Sequence, residues 1–183
     1  NAMNKGIEMA SGDWIFFMNA DDAFFCSSTI GQYMLRVRGG DDIVYTDVER
    51  REDGMLHSHR PDEHHWLGMT FDHQTACCRT NIYKKLLFDE TYDISGDFDF
   101  FSRARMHGYS FRKLHGFIGC RKPFNIGHSS NYFFRQKERL RVIKKYFRHM
   151  NYVPVLLKEY RNDLNKGFVT ECEYDCLVAN LIR

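Results

Sequence analysis

Short apolar runs alternate with segments of helical periodicity along the first two thirds of the chain. Trp14–Met18 is a continuous apolar run, which is typical of a strand covered on both faces in a parallel sheet. Ile43–Val48 predicts another strand, and a turn at Asp53–Gly54 leads into a returning strand over Met55–His59. This alternation predicts an α/β fold. A loop and three further strands are predicted at Pro61–Thr70, His73–Arg79, Phe111–Leu114 and Phe117–Arg121.

Helices are predicted where apolar residues recur at three- and four-residue spacing between capping residues. Beyond Gly127 the pattern is helical throughout. The chain is therefore predicted to consist of an α/β domain over residues 4–127 and a helical C-terminal extension over residues 128–183. The predicted helices are Met3–Ser11, Ser27 or Ser28 to Arg36, Asn81–Leu87, Asp97–His107, Ser130–His149, Val153–Leu164 and Thr170–Ile182.

Composition limits the classes of protein that fit. The chain has 183 residues, of which 43% are hydrophobic, so it can bury a core without disulfides or metals. A net charge of +2 argues against a dedicated nucleic-acid binder, which needs a basic excess. The six cysteines form no CxxC pair, which indicates free thiols in a reducing cytosol, and no apolar run is long enough for a membrane span. We therefore expect a cytoplasmic protein.

Asp21 and Asp22 are the first candidates for chemistry, because they directly follow the first predicted strand. Ligands of open α/β sheets bind at the carboxyl ends of strands, and adjacent carboxylates there suit a hard cation such as Mg²⁺ or Mn²⁺. Two side chains fill few coordination positions, so a bound diphosphate would complete the shell. The alternative is a solvated turn, since Asp is an ordinary turn residue.

Two blocks of this sequence resemble family 2 glycosyltransferases. The first is N-K-G-I-E-M-A-S-G-D-W-I-F-F-M-N-A-D-D, residues 4–22, and it resembles the helix, glycine turn, strand and metal-binding turn of that family. The second is H-Q-T-A-C-C-R-T-N-I-Y-K-K-L-L-F-D-E-T-Y-D-I-S-G-D-F-D-F-F-S-R-A, residues 73–104, and it is similar to the acceptor half of the same domain. The resemblance covers roughly residues 4–130.

The resemblance implies a GT-A fold, a nucleotide-binding α/β sandwich with a mixed sheet and flanking helices. It implies transfer of a sugar from a nucleotide-diphosphate donor, with inversion, to a saccharide or lipid-linked acceptor of polysaccharide or glycolipid biosynthesis. Asp21 matches the metal ligand of the D-x-D pattern, and Asp22 would orient the donor or a metal-bound water. Asn19 replaces the first acid of that pattern and is not predicted to be a ligand. His128 stands where the family usually has glycine, and we interpret it as a loop residue.

Asp97 is the candidate general base, because it matches the catalytic acid of the family within Ser95–Asp99. Single-displacement inversion needs one carboxylate to take the proton of the acceptor hydroxyl. From the residues alone, a helix N-cap is the preferred interpretation of Asp97, and the resemblance is what makes it the candidate base. Asp99 is expected to pair with Arg103, four residues further along the helix. His73 and Gln74 open the second block and are candidates for contacts with donor phosphates or acceptor hydroxyls. A structural histidine whose hydrogen bonds are satisfied within the protein is an equal alternative for His73.

The helix around Phe133–Phe147 has an apolar stripe and many basic residues, and Glu138 is its only acid. Such a helix suits peripheral contact with an anionic membrane, where a lipid-linked acceptor would be presented. The alternative is a helix that packs its stripe on the core and exposes a basic face to solvent.

Family members begin with further strands that hold the donor base and ribose, and no such strands precede Asn4. We therefore expect an N-terminally truncated domain with little nucleotide-sugar affinity and with a sheet edge open to self-association. The competing hypothesis is a non-catalytic binding module that retains the glycosyltransferase scaffold.

Overall fold

The computed structural model describes residues 2–20, 22–50, 56–57, 62–122 and 131–183. Helices and strands alternate in the first part, and three helices close the chain, as predicted. The helices are α1 Ala2–Met9, α2 Thr29–Arg36, α3 Thr80–Leu86, α4 Gly96–Met106, α5 Tyr132–Tyr146, α6 Val153–Asn165 and α7 Glu171–Ile182. The strands are β1 Trp14–Phe16, β2 Ala23–Phe24, β3 Ile43–Arg50, β4 Leu56–His57, β5 Cys77–Arg79 and β6 Phe111–Lys122.

The strands form one mixed sheet in the order β1-β5-β3-β6-β2, with β4 paired to β3 beside this path. β3 and β6 are parallel, whereas β1 and β3 are each antiparallel to β5, and β2 is antiparallel to β6. The carboxyl end of β1 and the starts of β5 and β2 consequently lie toward the same end of the sheet. His73 and Asp22 lie just before β5 and β2, so the topology directs both predicted site residues toward this end.

The prediction of a parallel, doubly covered strand over Trp14–Met18 is wrong in two respects. β1 is only three residues long, and it lies half-buried at one edge of the described sheet, antiparallel to β5. The apolar run does face both sides: the ring of Phe16 lies 4.8 Å from that of Tyr33, and the ring of Phe17 lies 5.1 Å from that of Tyr83. An apolar run indicates that both faces of a strand are covered. It does not indicate the direction of the strand or which strands it bonds to.

Three other boundaries also differ from the prediction. The segment Asp62–Leu67 is a 3₁₀ helix within the predicted loop, and His73–Thr75 is a 3₁₀ turn before β5. The two strands predicted after Tyr109 are one strand, β6, in which pairing advances two residues along β3 (Tyr45 to Asp47) but five along β6 (Lys113 to Ile118). Gly116 has φ 85°, a conformation that suits glycine, and lies in this bulge.

The C-terminal helices have their own apolar core, which continues into the sheet region through Phe98 of α4. Of the predicted α5 stripe, Leu140, Ile143 and Phe147 are buried in this core. In the described part of the chain, no helix is both long and apolar enough to cross a membrane. The other buried residues of this core include Tyr92, Leu156, Tyr160, Val169, Leu177 and Leu181.

Asp41 holds the junction between α2 and β3. Its carboxylate accepts hydrogen bonds from Arg112 and, at 2.6 Å, from the backbone N–H of Arg38. Arg112 in turn donates to the Arg36 carbonyl at 2.8 Å, at the last residue of α2. The Arg112 guanidinium holds the pKa of the Asp41 carboxyl below its usual value.

We expect Asp41→Asn to lower the free energy of unfolding at pH 7 by about 1–3 kcal/mol, because it weakens charge-assisted hydrogen bonds. The pKa of Asp41 is lower in the folded than in the unfolded chain, so its stabilisation is complete above about pH 4 and is lost as the pH falls through the lowered value. Urea unfolding at pH 7 and at pH 2 measures this, with the exposed Asp175→Asn as control. A deficit equally large at both pH values would contradict the assignment.

Candidate active site

Asp97 lies in the first turn of α4, one residue after the helix begins at Gly96. The N-cap position belongs to Ser95, so the interpretation of Asp97 as an N-cap is wrong. One carboxylate oxygen of Asp97, Oδ1, accepts from the backbone N–H of Phe98 at 2.7 Å. A negative charge is favoured in the first turn of a helix, where backbone N–H groups are unpaired. The helix start therefore fixes one carboxylate oxygen of Asp97 and leaves the second oxygen directed elsewhere.

That second oxygen meets His73. The distance from Asp97 Oδ2 to His73 Nδ1 is 3.1 Å, and the side chains are 24% and 26% exposed respectively. Two predicted site residues 24 positions apart in sequence thus form one pair that solvent, and hence a ligand, can reach. Such a pair can take a proton at the carboxylate while the imidazole donates a hydrogen bond that orients it.

The 3₁₀ turn that carries His73 is held from inside the protein. Tyr33 of α2 donates to the carbonyl of Thr75 at 2.6 Å, and Thr75 Oγ1 donates to the carbonyl of Asp72 at 2.8 Å. Burial raises the pKa of Tyr33, so its hydroxyl remains a donor at all ordinary pH values. Gln74 is only 2% exposed, so the prediction that it contacts substrate is wrong. Its neighbour His73 is the residue that the turn presents.

Glu138 is a site-forming residue that the sequence analysis did not identify. Its Oε1 accepts from the N–H of Asp93 at 2.8 Å, and its Oε2 accepts from the N–H groups of Ile94 at 2.8 Å and Ser95 at 2.7 Å. These three amides belong to the turn that leads directly into α4. A single carboxylate on α5 thus anchors the segment that positions Asp97. The available signal was that Glu138 is the only acid on an otherwise basic helix.

Asp99 forms the predicted pair with Arg103, whose Nε lies 2.8 Å from Asp99 Oδ2. Asp99 is fully buried and also accepts from the hydroxyl of Tyr146 at 2.9 Å. Arg103 continues to the carbonyls of Leu86 and Leu87 at the end of α3. Asp99 therefore ties α4 to α3 and α5, and this network has a structural role beside the His73–Asp97 pair.

The acidic turn is described only in part. Asp21 and His128 lie outside the described residues, and Asp22 is half-buried, with its backbone N–H donating to the carbonyl of Asn19 at 3.2 Å. Among the described residues, no group of three or more His, Cys, Asp or Glu side chains is placed to hold a metal ion. The donor set that the sequence offers here is two carboxylates, which fits a hard cation whose remaining positions are filled by diphosphate and water.

Much of the basic surface of α5 is used within the protein. Arg139 donates to the carbonyl of Leu67 and pairs with Glu159 of α6 at 2.6 Å. Arg141 donates to the carbonyl and hydroxyl of Thr91 at 3.1 and 2.6 Å. These bases, like Glu138, attach α5 to loops of the sheet region.

The family model for glycosyl transferase family 2 matches residues 1–110, which is more than half of the chain. The chain belongs to glycosyl transferase family 2. The expected α/β fold, with a mixed sheet, flanking helices and a helical C-terminal region, is confirmed.

Similar proteins include PGL/p-HBAD biosynthesis glycosyltransferases of Mycobacterium bovis and Mycobacterium tuberculosis. Each is 28% identical over 90 residues, covering 48% of this chain and 31% of the relative. The solved structure of S. aureus TarS 1-349 in complex with UDP-GlcNAc has a TM-score of 0.59 at 16% identity, covering 98% of this chain and 50% of that chain. The complex of TarS 1-349 with UDP has a TM-score of 0.56 at 13% identity, covering 98% and 48%. The match thus spans about half of the TarS chains and about a third of the curated relatives.

Proposed function

We propose that this chain carries the catalytic base and acceptor side of an inverting glycosyltransferase that uses a nucleotide-diphosphate sugar, of the hexosyltransferase type. The observation that carries the proposal is the His73–Asp97 pair at the start of α4, in a chain of glycosyl transferase family 2. A TarS structure in complex with UDP-GlcNAc supports this donor class.

In the proposed reaction, the hydroxyl oxygen of the acceptor bonds to the anomeric carbon of the donor sugar. The bond from that carbon to the diphosphate breaks, and the nucleoside diphosphate leaves with the electron pair. Asp97 takes the hydroxyl proton, and attack opposite the leaving group inverts the configuration. His73 holds the Asp97 carboxylate through Oδ2 and directs it at the acceptor. Because both side chains are only about one quarter exposed, little water competes at the carboxylate.

We assign Asp21 and Asp22 to a Mn²⁺ or Mg²⁺ ion together with the donor diphosphate. Such an ion supplies positive charge that stabilises the leaving diphosphate. The support is Asp22, which lies just before β2 at the same end of the sheet as His73, together with its sequence neighbour Asp21, because two adjacent carboxylates are hard donors.

We expect Mn²⁺ to bind this site weakly alone and at least about tenfold more tightly with a nucleoside diphosphate, because two side chains leave most of the shell empty. Electron paramagnetic resonance of Mn²⁺, with and without UDP or GDP, measures this in the natural full-length protein. Asp21→Ala and Asp22→Ala should each remove the nucleotide-dependent binding, and the exposed Asp13→Ala is the matched control. Tight binding without nucleotide that survives Asp21→Ala would contradict the assignment.

The acceptor in this proposal is a saccharide or a lipid-linked molecule of polysaccharide or glycolipid biosynthesis, in line with the PGL/p-HBAD biosynthesis names of relatives. The test is release of UDP or GDP from nucleotide sugars by the natural full-length protein, with and without saccharide acceptors. Release stimulated by an acceptor supports a transferase. Sugar binding without any release would instead indicate the non-catalytic binding module.

Four further points stay predictions: the cytoplasmic location, membrane contact through α5, self-association through the sheet edge at β1, and the division at residues 127/128.

A further inference from the structure

A basic pocket lies between the turn before α4 and the outer face of α5. Its volume is about 430 Å³, which falls within the range of small-molecule sites. The turn contributes Tyr92, α5 contributes three cations, and Arg148, just after α5, contributes a fourth. The lining residues are Tyr92, Arg141, Lys144, Lys145 and Arg148.

Three of the four cations are not neutralised by acids. Arg141 donates to Thr91, Lys144 to the carbonyl of Asn180, and Arg148 to the carbonyl of Lys144. Among the described residues, no carboxylate pairs with any of these three cations.

Lys145 is the exception. Its Nζ lies 3.4 Å from a carboxylate oxygen of Asp89 and 3.4 Å from one of Asp99. Asp99 in turn is shared with Arg103. The side chains that line the pocket therefore carry a net positive charge, which favours an anionic ligand.

The hydroxyl of Tyr92 gives a second, independent indication of a ligand. Tyr92 is only 7% exposed, and its hydroxyl has no hydrogen-bond partner within the described chain. A buried polar group without a partner is costly and is usually satisfied by something bound. Burial, together with the Asp99 carboxylate, raises the pKa of Tyr92, so the hydroxyl stays protonated and can donate. The guanidinium of Arg141 lies 4.1 Å from the centre of the Tyr92 ring, so the two side chains pack against each other where they line the pocket.

We propose that this pocket binds a phosphate ester carried by the acceptor substrate. A phosphate offers several oxygens that can accept from the cations and from the Tyr92 hydroxyl together. The volume leaves room for the sugar or polyol attached to it. That the ligand is an acceptor substrate rests on the proposed glycosyltransferase function. The phosphate site itself can be tested by binding, without turnover. Tyr92 precedes Asp97 by five residues, and the turn that holds it is anchored by Glu138, so an occupant of this pocket lies on the segment that leads to the base.

The direct test is calorimetric titration with glycerol 3-phosphate, compared with glycerol, which lacks the phosphate. We expect binding of the ester only, weakening as salt is raised from low to physiological concentration. The double variant Lys144→Gln/Arg148→Gln should weaken it at least about tenfold, because two charge-assisted contacts are removed. Tyr92→Phe, which removes only the hydroxyl, should weaken it several-fold. The matched control is Lys158→Gln/Arg161→Gln, which makes the same charge change at exposed positions of α6 and should bind normally.

A lipid-borne phosphate is distinguished by vesicles. The protein is sedimented with phosphatidic acid vesicles, and phosphatidylcholine vesicles are the control. If the protein binds the phosphatidic acid vesicles but not the soluble ester, and Lys144→Gln/Arg148→Gln abolishes the vesicle binding, the phosphate belongs to a lipid. Two results would overturn the proposal. The first is that glycerol and glycerol 3-phosphate bind with equal affinity and no vesicle binding depends on Lys144 and Arg148. The second is that the double variant binds as tightly as the wild type. Failure of Asp97 as base would leave these binding results unchanged, so the two proposals fail separately.

Discussion

Asp97→Asn is expected to lower the kcat of sugar transfer by about 10²–10⁴-fold, the usual contribution of a general base. Asn keeps the size of Asp and a carbonyl oxygen for the N–H of Phe98, so the start of α4 should persist. The amide cannot take the hydroxyl proton. Steady-state kinetics of nucleoside diphosphate release, with donor affinity measured separately by calorimetry, should show a loss of kcat and an unchanged donor Kd.

His73→Asn is the matched comparison, because its amide can still donate to Asp97. We expect a loss of only about tenfold, since the base survives with a weaker orienting contact. If His73→Asn lost as much activity as Asp97→Asn, the imidazole would be the proton acceptor and Asp97 its orienting partner. If Asp97→Asn kept near-normal turnover, the base would lie elsewhere.

Glu138→Ala is expected to lower kcat by about 10–100-fold while donor affinity stays within a few-fold. The change frees the amides of Asp93, Ile94 and Ser95, so the turn that fixes Asp97 loses its anchor. A misplacement of about 1 Å at a catalytic group can cost about 10²-fold in rate. Glu138→Gln, which retains one acceptor oxygen, should fall between Glu138→Ala and the wild type.

Glu159→Gln is the control for general destabilisation of the helical region. Glu159 pairs with Arg139 between α6 and α5, whereas the amides of the turn before α4 bond to Glu138. It should lower the melting temperature with little change in kcat at assay temperature. If kcat falls in Glu138→Gln and Glu159→Gln by the same amount for a given loss of stability, Glu138 acts only on folding.

Local rules were sufficient to predict the helices. The predicted ends of α4 lie within one residue of those observed, since Gly108 adopts φ 78° just beyond the helix. Thr170 caps α7 in a capping box with Glu173, a signal that depends only on nearby residues. The pair of Asp99 and Arg103 follows from four-residue spacing alone.

The parts that could not be predicted depend on long-range neighbours. The antiparallel pairing of β1 with β5 depends on which strands become neighbours in the sheet. The residue composition of a strand does not predict its neighbours. Glu138 reaches its turn across more than 40 residues of sequence, so its role appears only when α5 is docked. The resemblance made Asp97 a candidate, and the position of His73 at the start of a predicted strand made it another, but their 3.1 Å contact is a product of the fold.

The most direct test of the proposed donor and acceptor arrangement is anomalous diffraction at the manganese edge from crystals of the natural full-length protein grown with UDP or GDP and Mn²⁺. We expect a manganese peak beside Asp21 and Asp22 and next to the diphosphate, with the space beyond the diphosphate facing the His73–Asp97 pair. A nucleotide bound on another face of the sheet, or a manganese site away from the acidic turn, would contradict it.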